Sequence, residues 1–249
     1  MPVFSTQFGQ YPWSYANGLR INYSSTTAFT VESGDILDST GVYQLTLSST
    51  ATVSSATVGL NGIDTGSLAA STVYAVYLVG DPVTQQATGV VFSASLSTPL
   101  LPFGYSAYAK IGYITTDASS HFLLGYWSAG NSTSRIFMYD APQATAVTAG
   151  AATSYTAVSL ETLVPLIDKT PVYINTAYTP NAASDTLKMQ PQAGTGDAIT
   201  ITGQVAAVVV TSQSFLFSSK NSTHQQINYK VSSGSDAVAI NVAGYQFFI

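Results

Sequence analysis

The apolar run from Val73 to Val79 constrains the fold of this chain more than any other stretch. It is rich in Val and Tyr, with Ser71-Thr72 before it and Gly80-Asp81-Pro82 after it. A run of this length between turn residues predicts a β-strand that is covered on both faces. Upstream, Asn61-Gly62 and Asp64-Thr65-Gly66 are turn signals that favour positive φ. We therefore expect the centre of a sheet here, without a catalytic group in it.

Short stretches elsewhere repeat this combination of apolar residues and turn signals. Alternating or continuous apolar residues predict further strands in ranges 19–23, 29–31, 43–47, 52–60, 90–96, 109–114, 121–126, 135–139, 172–178, 186–189, 199–202, 205–210, 214–217, 227–231, 238–242 and 244–249. A single helical turn is predicted over 159–163, where it is stopped by Pro165. Short strands with Gly, Pro and Asn turns indicate an all-β chain of antiparallel β-sandwich or jelly-roll-like domains.

The chain length of 249 residues allows one large β domain or two of about 100–140 residues. The tract 140–153 lacks apolar periodicity, which predicts a linker or loose connection. We therefore predict two consecutive domains, residues 19–142 and residues 143–249. They follow an irregular arm, residues 1–18.

The N-terminal arm is rich in aromatic residues but has no period, and its prolines oppose regular structure. Such a segment is either a packed lid or a docking segment for a neighbouring chain, and we take the docking arm as our hypothesis. Its candidate contact residues are Phe4, Phe8, Tyr11, Trp13 and Tyr15.

The charge of the chain limits its partners. Charged residues make up 8% of the sequence, against roughly 25% in an ordinary soluble domain. A monomer with so few charged residues has little electrostatic protection against association, which indicates a homo-oligomer. The net charge is −5 and the seven basic residues are scattered, so we expect no nucleic-acid partner. No apolar run approaches the roughly 20 residues of a membrane-spanning helix, so we expect no membrane span.

The residues that carry chemistry form no recognisable motif. The chain has no Cys, and its two histidines, His121 and His224, lie far apart in sequence. Neither a G-x-S-x-G elbow nor a phosphate-binding loop is present. Most aspartates adjoin Gly, Ser, Thr or Pro, as turn caps do. We therefore predict no catalytic residue, no cofactor and no metal. We also expect no signal peptide, because residues 1–17 lack a basic and an apolar region.

Aromatic side chains near strand ends offer an alternative. Tyr126 and Trp127, together with the group Phe103, Tyr105, Tyr108 and Tyr113, could stack on sugar rings. Aromatic residues at such positions are more often part of a core or a subunit interface. Tyr126 and Trp127 are nevertheless the candidate glycan-stacking residues.

An ordered series of short motifs carries a resemblance to a known family. In order along the chain they are the residues GLNGIDTG at 59–66, the strand 72–79, FSAS at 92–95, Pro99, Leu101-Pro102, Gly104-Tyr105 and the stretch 108–114. In this order they resemble a module of tailed-bacteriophage virion surface proteins, found in tail fibres and in head fibre or decoration proteins. The second half, with Ile227-Asn228-Tyr229 and Val242-Ala243-Gly244-Tyr245, resembles the C-terminal β-sandwich of similar proteins.

The resemblance implies a trimer or another symmetric assembly on the virion exterior, without enzymatic activity, and it supplies no binding residues. The predicted function is thus a non-enzymatic fibre or decoration protein for host attachment or particle stabilisation. It would be made in the host cytoplasm and would contact other virion proteins and a host surface glycan. The alternatives are a carbohydrate-binding module or glycan-processing enzyme and, disfavoured by the missing export signal, a bacterial adhesin subunit.

Overall fold

The computed structural model describes residues 16–81, 83, 86–128, 134–144, 147–167, 170–191, 196–217, 219–220 and 225–248. The candidate docking residues Phe4, Phe8, Tyr11, Trp13 and Tyr15, and also His224, lie outside this range. Every regular element within it is a β-strand. None of the described residues forms a helix of the length and apolarity needed to cross a membrane.

Twenty strands make up the described part of the fold. In chain order they are β1 (Ala16–Gly18), β2 (Ile21–Ser25), β3 (Ala28–Val31), β4 (Gly34–Leu37), β5 (Gln44–Leu47), β6 (Ala51–Ser54), β7 (Gly62–Ile63), β8 (Val73–Asp81), β9 (Gln86–Ser93), β10 (Ala107–Thr115), β11 (Gly125–Ser128), β12 (Ser134–Ala144), β13 (Thr156–Ser159), β14 (Pro171–Thr179), β15 (Thr186–Gln190), β16 (Ile199–Thr202), β17 (Val210–Phe217), β18 (Ser219–Lys220), β19 (Gln225–Val231) and β20 (Ala237–Phe248).

The first sheet has seven strands, in the order β1-β4-β5-β9-β8-β10, with β7 paired to β9. The long strand β8 lies between β9 and β10 and pairs antiparallel with both. Every residue of β8 before Asp81 is buried, which confirms that the run 73–79 is covered on both faces. The turns before it are also confirmed, since Asn61 and Gly66 both have positive φ, 58° and 77°.

The second sheet has eight strands, in the order β17-β14-β20-β12-β11-β2-β3-β6. It packs against the first sheet through aromatic pairs. Phe29 meets Phe92 with ring centroids 5.9 Å apart, and Tyr113 meets Phe247 at 5.2 Å. Edge-to-face aromatic contacts between two facing sheets are typical of the interior of a β-sandwich. The predicted all-β sandwich class is therefore confirmed.

The predicted domain boundary, between residues 142 and 143, lies inside β12. On one side β12 pairs with β11 of the first half, and on the other with β20 of the second half. The expected linker is therefore wrong at its start, because Asp140–Ala144 continues a strand. A third, five-stranded sheet, β13-β19-β15-β16 with β18 beside β19, belongs wholly to the second half. The independent folding of the two halves stays a prediction.

Three other predictions about local structure differ from the fold. The stretch 205–210 is not the predicted strand, since β17 starts only at Val210, and Val205, Val208 and Val209 are exposed in the connection between β16 and β17. The predicted strand 52–60 ends at Ser54. The predicted strand 121–126 is mostly a loop, and β11 starts only at Gly125. A short apolar run does not reveal which of its residues another layer will cover.

Candidate functional site

The aspartates are distributed over several turns and loops. Asp38 is buried and accepts hydrogen bonds from the Thr40 hydroxyl and from the N–H groups of Val42 and Tyr43, at 2.8 to 3.0 Å. Asp64 reaches further along the chain, since its Oδ2 accepts the N–H of Leu100 at 2.8 Å. Asp38 thus holds the backbone of its own turn, as the turn interpretation predicts, whereas Asp64 holds backbone 36 residues away.

Asp236 links two parts of the second half by hydrogen bonds. It is buried, and it accepts hydrogen bonds from the Tyr178 hydroxyl at 3.0 Å and from the N–H of Asn181 at 2.7 Å. It also accepts the N–H of Ser233 at 3.1 Å, inside its own turn. Its lone pairs are thus used within the protein.

His121 pairs with Asp117 at a tight turn. The backbone N–H groups of His121 and Ser119 each donate to Asp117 Oδ1 at 2.8 Å, and His121 Nδ1 lies 3.5 Å from Asp117 Oδ2. These backbone hydrogen bonds hold the pKa of Asp117 below its usual value. The described residues include no group of three or more His, Cys, Asp and Glu side chains that could hold a metal ion.

Arg135 on β12 is a buried cation that the sequence analysis did not single out. Its guanidinium donates to the carbonyl oxygens of Leu19 at 2.6 Å, Gly18 at 2.7 Å and Ile111 at 3.2 Å. It joins the second sheet to the start of the described chain and to β10. Burial, with the nearby charge of Arg20, lowers the pKa of Arg135 to about 10. Its described hydrogen bonds all go to backbone carbonyl oxygens, so it holds separate segments of backbone together.

The two candidate glycan-stacking residues differ sharply in exposure. Tyr126 is 56% exposed, whereas Trp127 is only 7% exposed. The Trp127 ring packs against Phe137, Tyr245 and Phe247, with centroids 5.1 to 6.2 Å away. The expectation is wrong for Trp127, because adjacent residues of a strand point to opposite faces of the sheet and this one points into the core. Tyr126 keeps an accessible ring.

Several large apolar side chains lie on the surface. Phe103 is fully exposed at the tip of a β-turn in which Tyr105 N–H donates to Pro102 O at 3.1 Å and Gly104 has a φ of 90°. Leu100 is exposed in the same loop, and its backbone is held by Asp64. This loop lies inside the stretch that carries the family resemblance. A fixed turn thus presents apolar side chains to the outside.

A cleft of about 260 Å³ lies between loops of the first half and the second half. Hydroxyl and carboxylate groups of Ser71, Thr72, Thr162 and Glu161 line it beside apolar side chains. Gln225 also lines it and is fully buried. Its Nε2 donates to the carbonyl of Ile167, while its Oε1 has no hydrogen-bond partner among the described residues. No motif in the sequence predicted this cleft.

No family model and no curated protein matches this chain. Among solved structures, it is similar to the carbohydrate-binding module CBM6cm-2 from Cellvibrio mixtus lichenase 5A, which was solved in complex with cellotriose. The two chains are 14% identical, and the match covers 48% of this chain and 86% of the module with a TM-score of 0.23. A TM-score this low does not support an argument about shared function.

Proposed function

We propose that this protein is a non-enzymatic structural component of the exterior of a tailed-phage virion, a fibre or decoration protein that associates with copies of itself. The observation that carries the proposal is the exposure of large apolar side chains, such as Leu100 and Phe103, on a chain with only 8% charged residues. Burial of such groups against a partner contributes roughly 25 cal/mol per Å² of apolar surface.

The family resemblance supplies the location. The residues that carry it include the exposed loop at 99–105 and the covered strand β8, so the likeness and the apolar surface fall on the same part of the chain. Its contacts would be sister copies, other virion proteins and, for a fibre, a host surface glycan. The docking role of the aromatic arm stays a prediction. A deletion that tests this role should stop at residue 15, because Ala16–Gly18 already pairs with β4.

The test combines particle labelling with one surface substitution. An antibody against the protein should label the outside of intact purified particles. Phe103→Ser should lower self-association in sedimentation experiments, because it removes an exposed apolar contact without touching the core. Tyr126→Ser is the matched control, since it also removes an exposed aromatic ring and should leave association unchanged. Absence of the protein from particles, or a wild-type monomer at every concentration, would contradict the proposal.

A saccharide-binding protein is the second candidate function, and the cleft, which combines polar and apolar lining residues, is the observation that favours it. The hydroxyl groups of a sugar would hydrogen-bond to polar lining residues such as Ser71 and Thr162, while the C–H face of its ring contacts Leu96. Binding on a glycan array that Thr162→Val weakens and Thr52→Val retains would favour this function over a purely structural one, since Thr162 lines the cleft and Thr52 is exposed on β6. Turnover of a polysaccharide would contradict the non-enzymatic proposal.

A further inference from the structure

Strand β17 is an edge of the eight-stranded sheet. It pairs with β14 over its whole length, from Pro171↔Phe217 to Tyr178↔Val210, without a register shift. Among the described strands, none pairs with its other side. An eight-residue edge without a bulge presents a regular row of backbone donors and acceptors to whatever lies beside it.

The usual protections of a sheet edge are missing here. Natural edges carry charged residues, prolines or bulges, or they are very short. Residues 198–217 contain no charged residue and no proline; the nearest charges are Asp197 and Lys220. The opposite edge of the same sheet, β6, is only four residues long, and so are the edge strands β13 and β16 of the third sheet. Among the described edge strands, β10 of the first sheet is also long, but it carries Lys110 and a register shift, so the long, regular and neutral edge is particular to β17.

An apolar loop adjoins the start of this edge. Val205, Val208 and Val209 are 57%, 54% and 54% exposed. The loop is held in place, because Ala207 N–H donates to Pro180 O at 2.8 Å and Ala207 has a positive φ of 59°. A non-glycine residue in this conformation costs energy, so the surrounding contacts must maintain it. The valines are therefore presented outward beside Val210, the first residue of β17.

We propose that β17 of one copy pairs antiparallel with β17 of a second copy across a two-fold axis. Such a contact joins two eight-stranded sheets into one and brings apolar loops toward the new interface. A strand paired with its own copy makes an isologous contact, in which charges of the same sign come close together and repel. A neutral segment avoids this repulsion. The backbone groups supply hydrogen bonds in any sequence context. The inference rests on the self-association in the proposed function and adds a second contact surface to the loop that presents Phe103.

This surface predicts two-fold assembly, whereas the family resemblance implies a trimer. In sedimentation velocity and light scattering, the wild-type chain should form dimers or even-numbered multiples of them. Thr211→Lys should weaken the dimer at least tenfold, because a lysine on an edge strand is a protection that natural sheets use against edge-to-edge pairing. The matched control is Thr52→Lys on β6, which adds the same charge to an exposed threonine at the opposite edge and should leave the dimer intact. Circular dichroism should show that both variants are folded.

Amide hydrogen exchange locates the contact. Residues 210–217 should gain protection at high concentration in the wild type and lose it in Thr211→Lys. If a dimer or trimer persists unchanged in Thr211→Lys, the β17 surface is wrong and the self-association stands. If the wild-type chain is a monomer at every concentration, both the β17 contact and the proposed self-association are wrong. Protection of 210–217 in a monomer that disappears when residues 1–15 are deleted would mean that the chain's own arm covers this edge, which also overturns the inference.

Discussion

Arg135 and a group of tyrosines place polar atoms inside the two packed sheets. The tyrosines keep their hydroxyl groups neutral there: Tyr139 donates to the carbonyl of Leu163 at 2.7 Å, and Tyr113 accepts from Lys110 at 3.3 Å. Burial raises the pKa of Tyr113, Tyr139 and Tyr245 well above the ordinary value of 10. In the same way, burial lowers the pKa of Lys110. The core therefore opposes the ionisation of each of these side chains.

Because burial opposes the ionisation of these tyrosines, we predict that the folded chain loses stability at high pH. Each buried tyrosine keeps its proton in the folded chain above pH 10, where the unfolded chain releases it, so the free energy of unfolding falls as pH rises above about 10. Arg135 and Lys110 act in the opposite direction, because the folded chain releases their protons first, but they are two groups against at least three tyrosines. Tyrosinate absorbance and far-ultraviolet circular dichroism, measured together between pH 8 and 12, should change in one step.

Tyr113→Phe provides the control for the alkaline limit. It removes one titrating hydroxyl from the core while the ring still packs against Phe247. The variant should therefore unfold at a higher pH than the wild type. Smooth titration of all tyrosines near pH 10 in a chain that stays folded would contradict this account.

At the scale of the strand, close approach of backbones limits the side chains that can be used. Gly244 lies in β20, between Met138 of β12 and Tyr173 of β14. A Cβ atom there would overlap the carbonyl oxygen of Phe137 and the sulfur of Met138. The bulge in the β12–β20 pairing begins next to this position, between Met138 and Gln143. Glycine at this position permits the close approach of the β12 and β20 backbones next to the bulge.

Gly244→Ala should lower the free energy of unfolding by about 3 kcal/mol, because backbone must move to admit the methyl group. Gly234→Ala is the matched control: it lies in a turn, and its Cβ would meet only the Thr153 Cγ2 atom, at 3.9 Å. That change should stay within about 0.5 kcal/mol of the wild type. Urea unfolding of both variants measures the difference, and equal stabilities would show that the β12–β20 contact is not tight in solution.

At the scale of the whole molecule, strands from both halves share one sheet and one hydrophobic core. Buried residues from Ala16 to Phe247 belong to a single cluster. The side chains of Tyr245 and Phe247 are buried in the full chain. The Phe247 ring contacts Tyr113 and Trp127 of the first half, and the Tyr245 ring contacts Trp127 and Phe137. Separation of the halves would expose these rings to water.

We therefore expect a fragment of residues 143–249, made alone, to lack a cooperative unfolding transition and to bind hydrophobic dyes. The full chain should unfold in one cooperative step. Differential scanning calorimetry compares the two. A fragment that melts cooperatively at the temperature of the full chain would support the two domains that the sequence predicts, and would mean that β20 does not need β12.

The sequence by itself determined the fold class and the strands that two layers cover. A run such as 73–79 is apolar at every position, so any fold that satisfies it must bury both faces. The positive φ of Asn61 and Gly66 was predictable for a similar reason, since it depends on neighbours in sequence.

Only the tertiary structure decided the rest. It placed Trp127 in the core, left Val205, Val208 and Val209 outside, paired β12 with β20 and brought Gln225 to a cleft. Each of these depends on residues far away in sequence, because pairing partners and covering layers are chosen among many chemically equivalent apolar stretches. Local composition determines whether a residue is suited to burial, and the packing of distant strands determines whether it is in fact buried.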